Sequence, residues 1–329
     1  PDAVCITYLG GEEENEIESA RFVAKRLGLK HFALTCDVER AYDRYIAIVP
    51  QMPLLTADFA LLSYVDLTAE IFANGGDSVI DGLGSDIYFG TPVSRKLALA
   101  VALSRALRLP PSVSRLPILS SSFLACYALG TLQMSAFERF FPGSRFSGSE
   151  VDAILGGGFA EASMRRLSAF GAELRKARSL SEKRRLAVVL AEGSAAFAKG
   201  YYSTVANGLG VAYPFCDPTL CDWLSVAPRS ALFDENRGVA KIIVRRHIER
   251  NFKSLPYVSA KGSFRFDVRK LALRRFDQVY EYATVMRDVL PGARTWLEKN
   301  RGLVRNKYHA SKFYLLAVVL PWLASRARA

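Results

Sequence analysis

Histidine is almost missing from this chain, with 3 in 329 residues, and the 5 cysteines, Cys5, Cys36, Cys126, Cys216 and Cys221, are scattered without a Cys-x-x-Cys pair. A structural zinc site needs four such ligands at short spacings, and a disulfide scaffold needs a small, cysteine-dense chain, so both are excluded. Unpaired cysteines fit a reducing, cytoplasmic setting. Residues 1–20 also lack the basic-then-apolar order of a secretory signal and carry Glu12, Glu13, Glu14, Glu16 and Glu18 instead. Long apolar runs are few. Residues 118–134 are diluted by Ser120, Ser121, Ser122, Gly130 and Thr131, and residues 313–323 number only 11, where a bilayer-spanning helix needs about 20. Two buried helices, and no membrane span, are expected there. Internal repeats and low-complexity linkers are absent as well.

What is present is ordinary globular material: 50% of the residues are apolar and 23% charged, in a chain long enough for one large domain or two modest ones. The net charge of +12 is densest at Arg245, Arg246, Arg250, Lys253, Lys261, Arg265, Arg269, Lys270, Arg274 and Arg275. A basic face of this kind meets nucleic acid, an anionic membrane or a nucleotide triphosphate, or is simply solvated. The aromatics that would interleave with it in an RNA binder are missing, so nucleic acid is not the expected partner.

The periodicity predicts a strand over residues 3–8, an amphipathic helix over 15–28 closed by Gly28, a strand over 31–35 and a helix over 38–49. A turn at Pro53, a helix from about residue 58 to 73 and a strand over 78–80 follow. Strands alternating with helices favour a parallel sheet with helices on both faces, whose ligands bind outside the carboxyl ends of the strands. After residue 95 strand signals vanish. The expected organisation is therefore an α/β nucleotide-binding layer over residues 1–95, continued by a mostly helical part over residues 96–329 that completes the active site.

The most informative residues are 79–90, where an apolar run enters the turn Asp81-Gly82-Leu83-Gly84-Ser85-Asp86. Gly82 and Gly84 permit positive φ and close approach of the backbone to a ligand, and successive N–H groups of such a turn form an anion-binding concavity. Asp86 supplies a hard oxygen for the magnesium that accompanies a polyphosphate. Such turns are common, but three further segments follow in order: residues 207–217 with Pro214-Phe215-Cys216-Asp217, residues 241–245 with Lys241 and Arg245, and Lys261-Gly262-Ser263-Phe264. Together they resemble the synthetase domain of the asparagine synthetase family, which includes β-lactam-forming relatives. Its pattern runs S-G-x-G-x-D-E-x-F-G-G, then H-G-x-E-x-R-x-P-F-x-D, then K-x-x-L-R, then K-x-x-F.

The resemblance extends to about residue 270 and implies a PP-loop-like adenine-nucleotide fold. It also implies ATP-dependent adenylation of a carboxylate, with pyrophosphate release and attack by ammonia or an amine. ATP and Mg2+ are the implied cofactors. Asp81, Gly82, Gly84, Ser85, Lys261 and Arg245 are the implied ATP and pyrophosphate ligands, Asp86 the metal ligand, and Lys241 the catalytic cation. Glutamine-derived ammonia from an upstream glutaminase domain is the default nitrogen source, and asparagine the default product. The plainer alternatives are a surface Lys241, an Asp86 that merely caps a helix, and a Pro214–Asp217 turn that only shapes the pocket floor.

The chain departs from the pattern in three ways. The Ser-Gly-Gly-x-Asp-Ser pyrophosphate loop is missing, and Gly75-Gly76-Asp77-Ser78 is no substitute because it precedes a strand. We therefore expect a fragment lacking the glutaminase domain and the pyrophosphate loop, inert as an isolated segment. Leu83 stands where the family has a glutamate or tyrosine, so general-base duty falls to another group, with Glu192 and Tyr88 as candidates, or to none; Ile87 likewise replaces an acid. Finally, Gly210-Val211-Ala212 and Tyr201-Tyr202 replace charged pocket residues, which points away from free aspartate. The leading reading is a ligase making an amide or lactam. The alternatives are a catalytically impaired descendant that binds a nucleotide or partner, and an RNA-modifying ligase of the same architecture.

Overall fold

The computed structural model describes residues 3–9, 17–90, 93, 98–99, 102, 121–134, 145–177, 179–189, 193–234, 236–252 and 266–327. Strand β1 (Val4–Leu9) pairs in parallel with β2 (Lys30–Thr35), Val4 facing Lys30 and Leu9 facing Thr35. A parallel pair requires a crossover, and helix α1 (Ile17–Arg26) lies in it. Helix α2 (Val38–Ile48) starts at Asp37, whose carboxylate accepts the Arg40 N–H at 2.8 Å, and stops where Pro50 enters a 3-10 turn. Helix α3 (Leu61–Ala73) begins three residues later than expected, because Asp58 turns its carboxylate onto the Ala60 N–H at 2.8 Å. Strand β3 (Ser78–Ile80) lies as expected and leads into the short helix α4 (Ser85–Phe89).

The described helices that follow are α5 (Phe123–Gln133), α6 (Gly148–Leu155), α7 (Phe159–Ser168), α8 (Gly171–Lys176), α9 (Leu180–Ala187) and α10 (Gly193–Ala206). The expectation that strands end at residue 95 is overturned by β4 (Gly210–Ala212), which pairs in parallel with β3, Val79 facing Val211. Three residues of Gly-Val-Ala are too short to show alternation, and only tertiary pairing makes them a strand. Helices α11 (Pro218–Val226) and α12 (Arg229–Leu232) then lead to the antiparallel pair β5 (Phe233–Asp234) and β6 (Val239–Ala240). The chain continues through α13 (Ile242–Asn251), α14 (Val268–Val285), α15 (Ala293–Asn300) and α16 (Lys307–Ala327).

The main core joins the two ends of the sequence. Tyr42, Tyr45, Leu61 and Leu62 of α2 and α3 pack on Leu271 and Phe276 of α14 and on Phe313 and Tyr314 of α16. Beside it, the fully buried Asp66 accepts the Tyr8 hydroxyl at 2.8 Å, Arg40 Nη2 at 2.8 Å and Arg44 Nη1 at 2.6 Å, tying β1 and α2 to α3. Helix α10 is fastened to α3 in turn, since Thr68 Oγ1 donates to the Ser203 carbonyl at 3.2 Å and accepts Asn207 Nδ2 at 2.9 Å.

No described helix is long and apolar enough to cross a membrane. Residues 313–323 lie buried in α16, as expected. The described part of the other apolar run, residues 121–134, is only half buried: α5 turns Cys126, Gly130 and Thr131 inward and leaves Leu124 73% exposed. Of the basic cluster, Arg275 is held by Asp43 at 2.7 Å.

Helix α16 contains Pro321, which has no N–H, so the carbonyl of Ala317 loses its helical partner. The Tyr42 hydroxyl replaces that donor at 3.1 Å, and the Tyr45 hydroxyl donates to the Val318 carbonyl at 2.7 Å. Tyr42→Phe should therefore cost about 1–3 kcal/mol in urea unfolding. In a Pro321→Ala background the helix supplies the bond again, and the loss should shrink by most of that amount. Equal losses in both backgrounds would contradict this account.

Candidate active site

Strands β3 and β4 end side by side, and the Asp81 N–H donates to the Ala212 carbonyl at 2.9 Å beyond the last paired residues. From these two carboxyl ends rise the turn 81–86 and the loop Tyr213-Pro214-Phe215-Cys216, in which Pro214–Cys216 form a 3-10 turn. The turn is held internally: Asp81 Oδ1 accepts the Leu83 N–H at 2.9 Å, and the Ser85 hydroxyl donates to the Gly82 carbonyl at 3.0 Å. Gly84 has φ +96°, and a Cβ there would meet Cys216 Sγ at 2.7 Å. Both backbone sign and space thus demand glycine at 84, whereas beside Gly82 nothing lies within 4 Å of where a Cβ would be. The turn is closed on the Cys216 side and open at Gly82.

Asp86 lies in the first turn of α4, behind the capping position occupied by Gly84. Its Oδ1 is 2.9 Å from Lys241 Nζ, with the two side chains 44% and 29% exposed. The two residues singled out from the first and third of the four motifs therefore meet, and the contact remains open to solvent.

Lys241 does not lie within a helix as expected. It sits between β6 and α13 at φ +58°, ψ 42°, the only non-glycine residue with positive φ among those described. The backbone must leave the β5–β6 hairpin and enter α13 in one residue, and a left-handed step does this. Such a step costs a side-chain-bearing residue about 1–2 kcal/mol, a penalty typical of functional positions. The Arg245 Nε–H donates to the Ala240 carbonyl at 3.0 Å, bracing the residue before Lys241. Arg245 is thereby engaged with the backbone of this turn.

A second set of groups lies against the other side of the turn. Lys199 of α10, 8% exposed, pairs with Asp58 at 2.9 Å and lies 5.6 Å from the ring centre of Tyr64. The Tyr64 hydroxyl in turn bonds the Asp81 carboxylate. Burial raises the Asp81 carboxyl above its usual range, while the Leu83 N–H, the Tyr64 hydroxyl and the Lys199 charge pull the other way. Burial also raises the hydroxyls of Tyr64 and Tyr213, with the Asp81 charge adding to both. The sequence drew attention to Asp81 but not to Asp58, Tyr64, Lys199 or Tyr213. A lone lysine in the apolar run 195–202 was a usable signal, whereas Asp58 and Tyr64 carried none.

Of the remaining candidates, Glu192 and Lys261 lie outside the described residues. The Tyr88 hydroxyl is bonded to Cys221, burial being the main cause of its raised pKa. No three histidine, cysteine or acidic side chains gather as metal ligands among the described residues. A magnesium ion carried by a polyphosphate needs only one or two protein carboxylates, because phosphates and water complete its octahedron. The half-exposed Asp86, paired with Lys241 in the first turn of α4, fits that demand.

This geometry agrees with what a comparison of the whole chain finds. The family profile described as asparagine synthase matches residues 2–257. The chain belongs to that family. Its members are ATP-dependent amide ligases, and the matched region runs from β1 through α13, so it contains the turn 81–86, the 213–216 loop and Lys241. No curated protein matches the chain. Against the family pattern, Asp81 occupies the serine position and Leu83 the position of the acid. This asparagine synthase family chain therefore keeps an acidic group at the turn, two residues earlier.

The strained lysine gives a direct test of the backbone at 241. Lys241→Gly and Lys241→Ala both remove the ammonium, but only alanine retains a Cβ in the left-handed region. The glycine variant should be the more stable by about 1 kcal/mol in denaturant titration. Equal stability would mean that residue 241 is not held left-handed in solution.

Proposed function

We infer that this chain serves ATP-dependent amide formation: a carboxylate attacks the α-phosphate of ATP, pyrophosphate leaves, and a nitrogen nucleophile displaces AMP from the acyl-adenylate. The observation that carries this reading is the 2.9 Å contact of Lys241 with Asp86 at the carboxyl ends of β3 and β4. A cation and a carboxylate held together beside an open glycine turn suit a nucleotide triphosphate and its metal. In this reading the backbone of Gly82, Gly84 and Ser85 binds phosphate oxygens. Asp86 holds magnesium, which when bound neutralises charge on the phosphates. Lys241 turns its ammonium from Asp86 toward the negative charge that builds on the α-phosphate and then on the tetrahedral carbon. Arg245 keeps Lys241 in its left-handed conformation, and Lys261 adds a cation for pyrophosphate.

Tyr201-Tyr202 and Gly210-Val211-Ala212, where relatives carry charges, favour a carboxylate larger or less polar than free aspartate. Ammonia, by family habit derived from glutamine, is the nitrogen source. A second reading, a nucleotide- or partner-binding descendant without turnover, is favoured by one observation, the leucine at 83.

Pyrophosphate release from ATP, followed with a panel of amino-acid and peptide carboxylates, separates the two. Release should fall by about 10²–10³-fold in Lys241→Ala, the usual loss when one preorganised electrostatic donor is removed. Asp86→Asn should cut it severely and raise the magnesium concentration needed. Nucleotide binding without release by any carboxylate supports the second reading, and full turnover by Lys241→Ala contradicts the first.

A further inference from the structure

The turn 81–86 is held from outside by a thiol. Cys216 Sγ lies against Gly84, in the place that a side chain at residue 84 would take, and donates to the Leu83 carbonyl at 3.8 Å. A second thiol is close by. Asp217 caps α11, its carboxylate accepting the Leu220 N–H at 3.0 Å, so Cys216 is the residue before the cap and Cys221 the fourth of the helix. Side chains at those two positions pack on one another where a chain enters a helix. The hydrogen bonds agree: the Cys221 thiol donates to the Phe215 carbonyl at 3.7 Å, and that oxygen lies in the peptide plane shared with the Cys216 nitrogen and Cα. The Tyr88 hydroxyl of α4 is bonded to Cys221 and lies within reach of the Cys216 charge. Both thiols are partly exposed.

We propose that Cys216 and Cys221 form a reversible disulfide that loosens the turn 82–86, a redox modification site beside the nucleotide turn. The inference rests on the ligase reading only where ATP enters it. A peroxide is the oxidant. The Cys221 thiolate attacks one peroxide oxygen, the O–O bond breaks and hydroxide leaves, giving a sulfenic acid. The Cys216 thiol gives its proton to that hydroxide, and its sulfur attacks the sulfenic sulfur. The S–S bond forms, the S–O bond breaks, and the departing hydroxide takes up the proton that Cys221 had released. Two thiols and hydrogen peroxide thus become a disulfide and two waters. Cys221 is the first nucleophile because burial raises the Cys216 thiol, with the charges of Cys221 and Asp81 adding.

The consequence for the turn follows from what Cys216 does in the thiol form. In the disulfide it has no proton for the Leu83 carbonyl, and its sulfur turns from Gly84 toward α11. Leu83 and Gly84 then lose their thiol contact with the 213–216 loop, and the backbone N–H groups assigned above to phosphate oxygens are held less firmly. ATP therefore prefers the thiol form, and by linkage bound ATP opposes oxidation by the same factor.

The test uses the whole chain, reduced or treated with hydrogen peroxide, then alkylated, digested without reductant and mapped by mass spectrometry. Oxidation should join Cys216 to Cys221, and dithiothreitol should reverse it. Hydrogen exchange of the amides of residues 82–86 should rise about fivefold or more in the disulfide form, the lower end of a typical coupling. The affinity for magnesium-ATP should fall by at least as much. Cys221→Ser, which keeps a hydroxyl for Phe215 and Tyr88, should bind ATP as the parent does and show neither response to peroxide. Should it fail to fold, Cys221→Ala takes its place, and the mapping of the parent decides independently.

Free thiols at 216 and 221 after peroxide, or either one joined to another cysteine instead, overturn the inference. So does a 216–221 disulfide that leaves the exchange, or a measurable ATP affinity, unchanged, and so does a Cys221→Ser variant as sensitive as the parent. Absence of ATP binding by the reduced chain overturns the ligase reading alone, because mapping and exchange still decide the disulfide.

Discussion

The account depends on one ion pair, Lys241 with Asp86, because it joins two segments that the sequence keeps far apart and does so at a half-exposed position where a ligand can enter. An exposed pair of this kind adds little to stability, typically under about 1 kcal/mol. The left-handed backbone at Lys241 costs more than the pair returns. The arrangement is therefore better explained by chemistry than by folding, and the fold supports it from elsewhere. The pairing of β3 with β4 sets the turn beside the 213–216 loop, Cys216 closes over Gly84, and Arg245 braces Ala240.

That support reaches back to the core. The large apolar cluster binds α2 and α3 to α14 and α16, so the α/β layer is anchored on helices from the far end of the chain. Polar groups at its edge are held by specific partners: Asp66 by two arginines and a tyrosine, and the Ala317 carbonyl by Tyr42 where Pro321 removes the helical donor. Helix α10 then transmits α3's position to the site, since the helix fastened through Thr68 is the one that carries Lys199 and Gly200.

Much of the fold was legible. The strands at 4–9, 30–35 and 78–80 and the helices between them follow from apolar periodicity with glycine and proline punctuation. What was not legible is what tertiary contact alone decides. Gly210-Val211-Ala212 shows no pattern and becomes a strand by pairing with β3, and Lys241 has helical neighbours but takes a left-handed turn because a hairpin precedes it. At the site, the motif series led to Asp86 and Lys241, and the structure brings those two together. The cluster behind the turn escaped notice because Asp58 and Tyr64, Lys199, and Tyr213 come from three separated places, with no spacing for a sequence to reveal. Leu83 signalled a lost acid, but the acid retained at Asp81 was masked by its position among presumed phosphate ligands.

A crystal structure with magnesium and a non-hydrolysable ATP analogue would test the central claim most directly. The account predicts the triphosphate over the turn 82–85, with the metal on Asp86 and Lys241 Nζ moved from the carboxylate onto a phosphate oxygen. A nucleotide bound elsewhere, with the Lys241–Asp86 pair intact beneath bulk solvent, would contradict it.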